Sequence, residues 1–538
     1  MEKSKVIRSA FMIGGFTSIS RVLGLVRDFL TAGFFGTSLP ISAFVVAFRI
    51  PNLFRALFGE GALSSAFVPV FVQARKNEGD EKAWVLARKV ISLVAVVLLC
   101  VVALGVLVIT LFVRHPGLGE KAAMILPLAR IMLPYLFFIC MAGLSMAMLN
   151  SYHKFALPAL TPSLLNITWI VFLLTVCPRM GSEPRQQVYG LAWGIFAAGI
   201  IQLSVQIPAL IRCGYRPGFT LDLRDPRVLR VFTLMGPAAL GLAVTQVNVM
   251  VNSLLAAWIG SWAPAALFYA ERLLYFPQGI LAVALSTVLL PVLSGHAARA
   301  DHQEIKATIN HSLRTLLFVM IPASVGLLVL ARPIVQMIYE WHQFKSDSTD
   351  LTALALQFYA PGLMVFCLAK VFVPTFYATQ DTKTPVKIAL AAVTINFVLN
   401  IAFILTWPLR MKHAGLALAT VLSEGFNGIM LGFLLHRRIG SPGWKQIIGN
   451  AARALLAAAV MGLAAIACRN LLFAFGASLG LVPKLNQILS VLLSILVAMG
   501  IYLLMARMLR CPELKDVVEA IRTPRKRTEE SPSPAVGD

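Results

Sequence analysis

Long apolar runs, separated by short polar stretches rich in proline, glycine and basic residues, recur along nearly the whole chain. Val90 to Val113 and Ile488 to Ala506 are two of them. Each is long enough for a helix to cross a bilayer, and the lack of strict alternation excludes a membrane barrel. Dividing the chain at its polar and Pro/Gly breaks predicts an all-α polytopic membrane protein of about fourteen transmembrane helices. They fall near residues 8–36, 40–74, 86–113, 122–150, 156–177, 188–212, 228–258, 263–296, 307–339, 351–378, 384–407, 413–436, 447–472 and 484–508. Pro51 and Pro277 lie inside the second and eighth, which are therefore candidates for broken helices.

Composition agrees, with 58% hydrophobic and only 13% charged residues. The net charge of +23 would suggest nucleic-acid binding in a soluble protein, but here the basic residues gather in alternate loops. One set holds Arg75, Lys76, Lys82, Arg88 and Lys89, then Lys154, then Arg212, Arg216, Arg224, Arg227 and Arg230, and later Arg437, Arg438 and Lys445. The opposite loops hold far fewer. The positive-inside rule then places both termini of a multi-pass membrane protein in the cytoplasm and requires an even number of spans. Lys3, Lys5 and Arg8 precede an apolar segment with no small-residue cleavage site, which reads as a first membrane helix. The chain from Cys511 onward, with "RTPRKRTEESPSP", reads as a disordered cytoplasmic tail, 511–538. The seven dispersed cysteines form no CxxC pair and signal neither a disulfide framework nor a metal site.

Sliding the chain against itself by about 220 residues reveals an internal repeat. "ALSSAFVPVF" from Ala62 aligns with "ALSTVLLPVL" from Ala284, "PYLFFICMA" from Pro134 with "PGLMVFCLA" from Pro361, and Arg49 falls opposite Arg272. An offset spanning six helices returns the chain to the same side, so the repeat predicts two parallel six-helix lobes, 1–226 and 227–440, followed by two further helices in 441–510. Such lobes suit alternating access to a site between them.

Charge also falls inside the predicted spans. On the first helix Thr17, Ser20, Arg21, Gly24, Arg27, Asp28 and Thr31 share an arc of about 120°. Ser42, Arg49, Asn52, Arg55 and Glu60 form a similar stripe on the second, and "FYAERLLYFPQG" adds Glu271 and Arg272. A charge at mid-membrane costs at least about 2.5–3.5 kcal/mol, which argues for a wet or partner-lined interior, although end-of-helix snorkelling is the simpler alternative for single residues. Arg21, Arg27, Arg49, Arg55 and Arg272 outnumber Asp28, Glu60 and Glu271. The excess fits an anionic substrate, and guanidinium geometry favours a diphosphate over a lone carboxylate. Asn248 with Asn252 and Asn396 with Asn400, together with Thr420, offer oxygens to sodium, but interhelical hydrogen bonding is the favoured use because no carboxylate joins them. Glu424 and Lys370 are further intramembrane charges without an assigned partner.

The stretches "SRVLGLVRD", "AFVVAFRIPNLFRALFGEGALSSAFVPV", "NSYHKFALPALTPSLLNI", "YAERLLYFPQGILAVALSTVLLP" and "FYATQDTKTPVKIA" resemble the MurJ (MviN) family of lipid II flippases, within the multidrug/oligosaccharidyl-lipid/polysaccharide exporter superfamily. The resemblance covers both repeats. It implies a fourteen-helix transporter, not an enzyme, that moves undecaprenyl-diphosphate-linked glycopeptide to the outer leaflet for peptidoglycan synthesis. It further implies diphosphate binding by Arg21, Arg27, Arg55 and Arg272, cavity or gating roles for Asp28, Arg49, Asn52, Glu60 and Glu271, and a lipid-tail groove on the last two helices. Its partners would be lipid II, membrane lipids and cell-wall synthesis or division proteins, with no nucleic acid. No cofactor is expected, and the drive would come from the membrane potential or a monovalent cation. Ser42 departs from the family, which often has aspartate there. A flippase for another polyprenyl-linked oligosaccharide is the nearer alternative. A drug/cation antiporter would call for a carboxylate-rich cavity, and the scattered histidines give no enzyme constellation.

Overall fold

The computed structural model describes residues 2–56, 62–115 and 117–515. Within them the chain forms nineteen α-helices and one short 3-10 helix. The first nine are α1 (Glu2–Phe35), α2 (Leu39–Phe54), α3 (Ala62–Glu78), α4 (Asp80–Val113), α5 (Glu120–Met132), α6 (Tyr135–Ser151), α7 (Ala156–Thr175), α8 (Pro184–Ser204) and α9 (Ile207–Arg212). After them come α10 (Pro226–Ile259), α11 (Ala263–Ala298), α12 (His302–Val329), α13 (Ala331–Tyr339), α14 (Ser346–Tyr359) and α15 (Gly362–Ala378). The chain closes with α16 (Lys383–Thr406), α17 (Lys412–Ile439), α18 (Trp444–Ser478) and α19 (Pro483–Met508). A backbone in hydrocarbon has to satisfy its own N–H and C=O groups, and helices do so within one segment.

Nine helices among the described residues are long and apolar enough to span a membrane, and eleven spans result when two bent pairs are counted as one each. The 34-residue α1 and the 36-residue α11 are of spanning length as well. The count is consistent with the expected fourteen. Pro277 does not interrupt α11, whose helix runs through both Pro277 and Pro291.

The two bends echo the sequence repeat. α5 and α6 meet at 41°, α14 and α15 at 46°. Each second helix starts after a proline, Pro134 or Pro361, which has no N–H to continue the preceding ladder. Each also ends on a residue in the left-handed region, His153 at φ 57° and Gln380 at φ 60°. There the next N–H closes back five residues, Lys154 onto Leu149 O and Asp381 onto Phe376 O, both at 2.9 Å.

The chain divides into two compact units, one made of Met1–Tyr269, Ile338–Thr352 and Val393–Leu416, the other of the remaining segments. In the first, α1 packs on α7, α7 and α6 on α8, α2 on α5, and α10 on α3 and α2. In the second, α12 packs on α15 and α18, and α18 on α19. Packing there continues beyond Cys511. Cys511 is buried, and buried Glu513 accepts from Arg314 Nε of α12 at 2.6 Å and Asn450 Nδ2 of α18 at 2.8 Å.

Aspartates secure the polar ends of the helices. Asp225 caps α10 through the Arg227 N–H, Asp301 caps α12 through those of Gln303 and Glu304, and Asp381 accepts from Thr384 N ahead of α16. Hydrogen bonds from Arg227 and Lys89 hold the Asp225 carboxyl well below its ordinary value of 3.8. Lys89 does the same for Asp222, and the Thr384 backbone and hydroxyl for Asp381. A carboxyl whose pKa falls on folding stabilises the fold above its unfolded pKa and loses that contribution as pH drops through the folded value. These carboxyls should therefore add to the loss of thermal stability in detergent below about pH 4, and Asp225→Asn should make that acid limb shallower. Replacing Glu513 with alanine strands Arg314 and should cost about 3–5 kcal/mol in the same measurement.

Candidate functional site

The polar stripe of α1 faces inward. Ile19, Val22, Val26 and Phe29 form an exposed apolar face, as expected for lipid, whereas Arg27, Asp28, Thr31 and Ala32 are buried. Arg27, only 8% exposed, donates from Nε at 2.9 Å and from Nη2 at 2.7 Å to Asp28 Oδ1. Its Nη1 donates to Asn166 Oδ1 on α7 at 2.9 Å, and its guanidinium carbon sits 4.5 Å over the Trp169 ring. Trp169 Nε1 donates to Thr31 Oγ1 at 3.1 Å, and the Thr31 hydroxyl donates to Arg27 O at 2.7 Å. Asn166 Nδ2 closes the circuit on Ser20 O at 2.9 Å.

This network alters the charge accounting read from the sequence. Residues one apart diverge by about 100° on a helix, yet the arginine side chain is long enough to fold back on its neighbour. Arg27 and Asp28 therefore neutralise each other. Arg21, half-buried one and a half turns earlier, makes no hydrogen bond or ion pair among the described residues. Arg27 has five N–H donors and uses three, so one N–H on each terminal nitrogen remains. Asn166 and Trp169 were not singled out from the sequence. An asparagine in the apolar "SLLNITW" was the available signal.

On α2, Arg49, Asn52 and Arg55 are half-buried, and Arg55 Nε donates to Asn52 Oδ1 at 2.9 Å. Glu60 lies outside the described residues. Glu271 and Arg272 belong to the second unit, where Glu271 Oε1 accepts from the Tyr359 hydroxyl at 3.3 Å. Glu424 there accepts from Asn427 Nδ2 at 3.2 Å, and Lys370 is exposed.

The asparagines meet in the first unit. Asn400 Nδ2 donates to Asn252 Oδ1 at 2.7 Å and to Asn396 Oδ1 at 2.9 Å, joining α16 to α10. Thr420 lies in the other unit. Among the described residues no group of three His, Cys, Asp or Glu side chains is arranged to hold a metal ion.

The far end of α1 is gripped by the segment between α13 and α14. Trp341 stacks on Phe29 with centroids 4.9 Å apart and donates Nε1 to Phe29 O at 3.0 Å. Gln343 N donates to Gly33 O at 2.9 Å, and Thr37 Oγ1 lies 2.9 Å from Ser348 Oγ. A Cβ on Gly33 would fall 2.0 Å from the Trp341 ring, so only glycine admits this contact. Nearby, Ser42 Oγ accepts the Ala265 N–H at 3.3 Å in the first turn of α11, and Lys121 Nζ donates to Ala257 O at 2.7 Å in the last turn of α10. At the opposite ends of α3 and α6 a cavity of about 1330 Å³ is lined by Val68, Val72, Arg75, Lys76, His153 and Phe155, among others.

A family model described as lipid II flippase MurJ matches residues 31–482. The lipid II flippase MurJ of Burkholderia cenocepacia is 36% identical over 463 residues, which is 83% of this chain and 88% of that protein. A solved structure of a lipid II flippase MurJ in an inward closed conformation aligns with a TM-score of 0.75 at 26% identity, covering 94% of this chain and 100% of the other. An inward-facing multidrug resistance MATE family transporter of the MOP superfamily shares the fold, with a TM-score of 0.64 at 16% identity over 80% of this chain and 98% of its own.

The Trp341 contact is open to a double-mutant test. Gly33→Ala should destabilise the detergent-solubilised protein by about 1–3 kcal/mol through overpacking. Combining it with Trp341→Ala should cost clearly less than the two single changes added together. Additive losses in thermal unfolding would mean that the two residues do not meet.

Proposed function

This chain belongs to the MurJ family of lipid II flippases, and we propose from that membership that it carries lipid II from the inner to the outer leaflet of the cytoplasmic membrane by alternating access, with Arg21, Arg27, Arg55 and Arg272 as its diphosphate ligands. The loop charges support an orientation with both termini in the cytoplasm. The observation that carries the site assignment is Arg27, buried, fixed from three sides and still holding two unused N–H groups. A guanidinium held in that way offers a planar fork to a phosphate at little further entropic cost.

Asp28 makes the empty state tolerable. Without it Arg27 would be an uncompensated charge inside a helical bundle; with it the pair is neutral until a diphosphate competes for the guanidinium. Arg21 on α1 and Arg55 at the C-cap of α2 add positive charge, and the glycopeptide travels in water-accessible space while the isoprenoid stays in lipid. The cavity beside Arg75, Lys76 and His153 supports entry of the polar headgroup from the side carrying those basic residues. Direction follows from the field. With the inside negative, moving an anion outward is favoured by about 2.3 kcal/mol per elementary charge per 100 mV, and the emptied, net-positive site is drawn back inward. We assign the drive to the membrane potential and the asparagine trio to interhelical hydrogen bonding.

The test is lipid II exposure at the outer leaflet, read by a membrane-impermeant enzyme that cleaves it, in cells depleted of their own flippase. The wild-type chain should restore exposure. Arg27→Ala and Arg272→Ala, normally inserted, should lose it. Arg27→Lys should lose most of it, since a charged hydrogen bond of about 1.5–3 kcal/mol corresponds to roughly ten- to a hundred-fold in affinity and an ammonium lacks the fork. Equal restoration by wild type and variants removes these arginines from the site. Failure of a well-inserted wild type moves the substrate to another polyprenyl-linked glycan.

A further inference from the structure

The segment from Tyr215 to Asp225, joining α9 to α10, is non-helical and fixed along one edge. The Thr220 N–H donates to Ser92 Oγ on α4 at 3.0 Å, and Asp222 accepts from Lys89 Nζ at 2.7 Å. Asp225, which also accepts from Lys89 at 2.9 Å, anchors the far end as the α10 cap. Along the other edge every second side chain is large, apolar and exposed. Phe219 is 68%, Leu221 47% and Leu223 63% accessible. The Thr220 N–H and the Asp222 carboxylate are turned to α4, whereas the side chains of Phe219, Leu221 and Leu223 are left exposed, so the anchors and the apolar side chains lie on different sides of one strip.

Its depth follows from α4. Ser92 is the third residue of the run Val90 to Val113, which at 1.5 Å per residue spans about 36 Å, close to the hydrocarbon thickness of about 30 Å. A strip bonded to Lys89 and Ser92 therefore lies where hydrocarbon gives way to headgroups. Beside it Arg212, Arg216 and Arg224 are exposed and make no side-chain hydrogen bond or ion pair among the described residues. Apolar side chains at the boundary with guanidinium groups next to them match an interfacial segment on an anionic leaflet. A protein partner would also cover apolar side chains, but it would not require so many unpaired arginines at this level.

We propose that Phe219, Leu221 and Leu223 insert into the cytoplasmic leaflet as a keel, with Arg212, Arg216 and Arg224 binding the phosphates of anionic phospholipids. The choice of leaflet rests on the orientation proposed above. The keel ties the base of α4 and the start of α10 to the membrane surface.

Phe219→Trp adds one emitter to the eight native tryptophans, and its fluorescence is read as the difference from wild type in nanodiscs whose lipids carry bromine near the top of the acyl chain. Most of the added emission should be lost to bromine, more so when phosphatidylglycerol is present than in phosphatidylcholine alone. Adding Arg216→Glu and Arg224→Glu should remove that extra loss. Added emission untouched by bromine overturns the keel, and if it is also shielded from aqueous acrylamide, protein covers the strip. Equal quenching with both lipids overturns the role of the arginines. Labelling of Phe219→Cys in intact cells by a thiol reagent that cannot cross membranes, beyond that of wild type, overturns the orientation and hence the leaflet, while leaving the quenching result to judge lipid contact.

Discussion

A guanidinium taken out of water needs its charge and most of its donors matched, and Arg27 finds those partners on two helices. Asp28 supplies the charge, Asn166 a carbonyl oxygen and Trp169 a π face, while Thr31 ties the indole back to the Arg27 carbonyl. Each contact fixes something besides the arginine. The bond to Asn166 sets the register of α7 on α1, and Trp169 packs edge-on against Phe44 of α2 with centroids 5.0 Å apart. The polar stripe thus orients three helices at once. In hydrocarbon, where apolar side chains gain little by leaving lipid for protein, such polar contacts and close packing do much of the orienting that water would otherwise enforce.

The other end of α1 is held by different means. Gly33 and Gly36 let a polypeptide segment lie against the helix backbone. Gly33 leaves room for the Trp341 ring, and Gly36, at φ 56°, leaves room for Gln343 O, which would lie 2.6 Å from a Cβ. A charge network in the interior and a backbone-to-backbone seam at the end constrain the same helix at two levels. Loss of either would let α1 rotate and turn its arginines away from the interior.

The long helices were legible because hydrocarbon tolerates only one pattern, and the repeat was legible because "PYLFFICMA" and "PGLMVFCLA" carry the same proline at the same bend. The bends themselves were not, since a proline at a helix start and one within a helix look alike in sequence. Pro277 and Pro291 sit inside α11, while Pro134 and Pro361 begin new helices. The site was half legible. Helical periodicity put Arg21, Arg27 and Asp28 on one face, but the pairing of Arg27 with its own neighbour depends on side-chain length, which a helical projection ignores. Asn166 and Trp169 come from a helix more than a hundred residues away, and the segment Ile338–Thr352 joins the first unit from still farther. Local pattern carries no trace of contacts made over such separations.

Ser42 shows how one departure from the family pattern is absorbed. Its hydroxyl meets the Ala265 N–H, one of the orphan donors at the start of α11, and Lys121 meets the orphan carbonyls at the end of α10. Both partners compensate the helix ends on either side of Gly260. A carboxylate at position 42 would meet the same N–H with a full negative charge and strengthen the contact through the helix dipole. Serine keeps the geometry without the charge. The hold on α11 is correspondingly weaker and independent of pH, and the two ends of the α10–α11 turn become unequal, with a cation on one side and a neutral hydroxyl on the other.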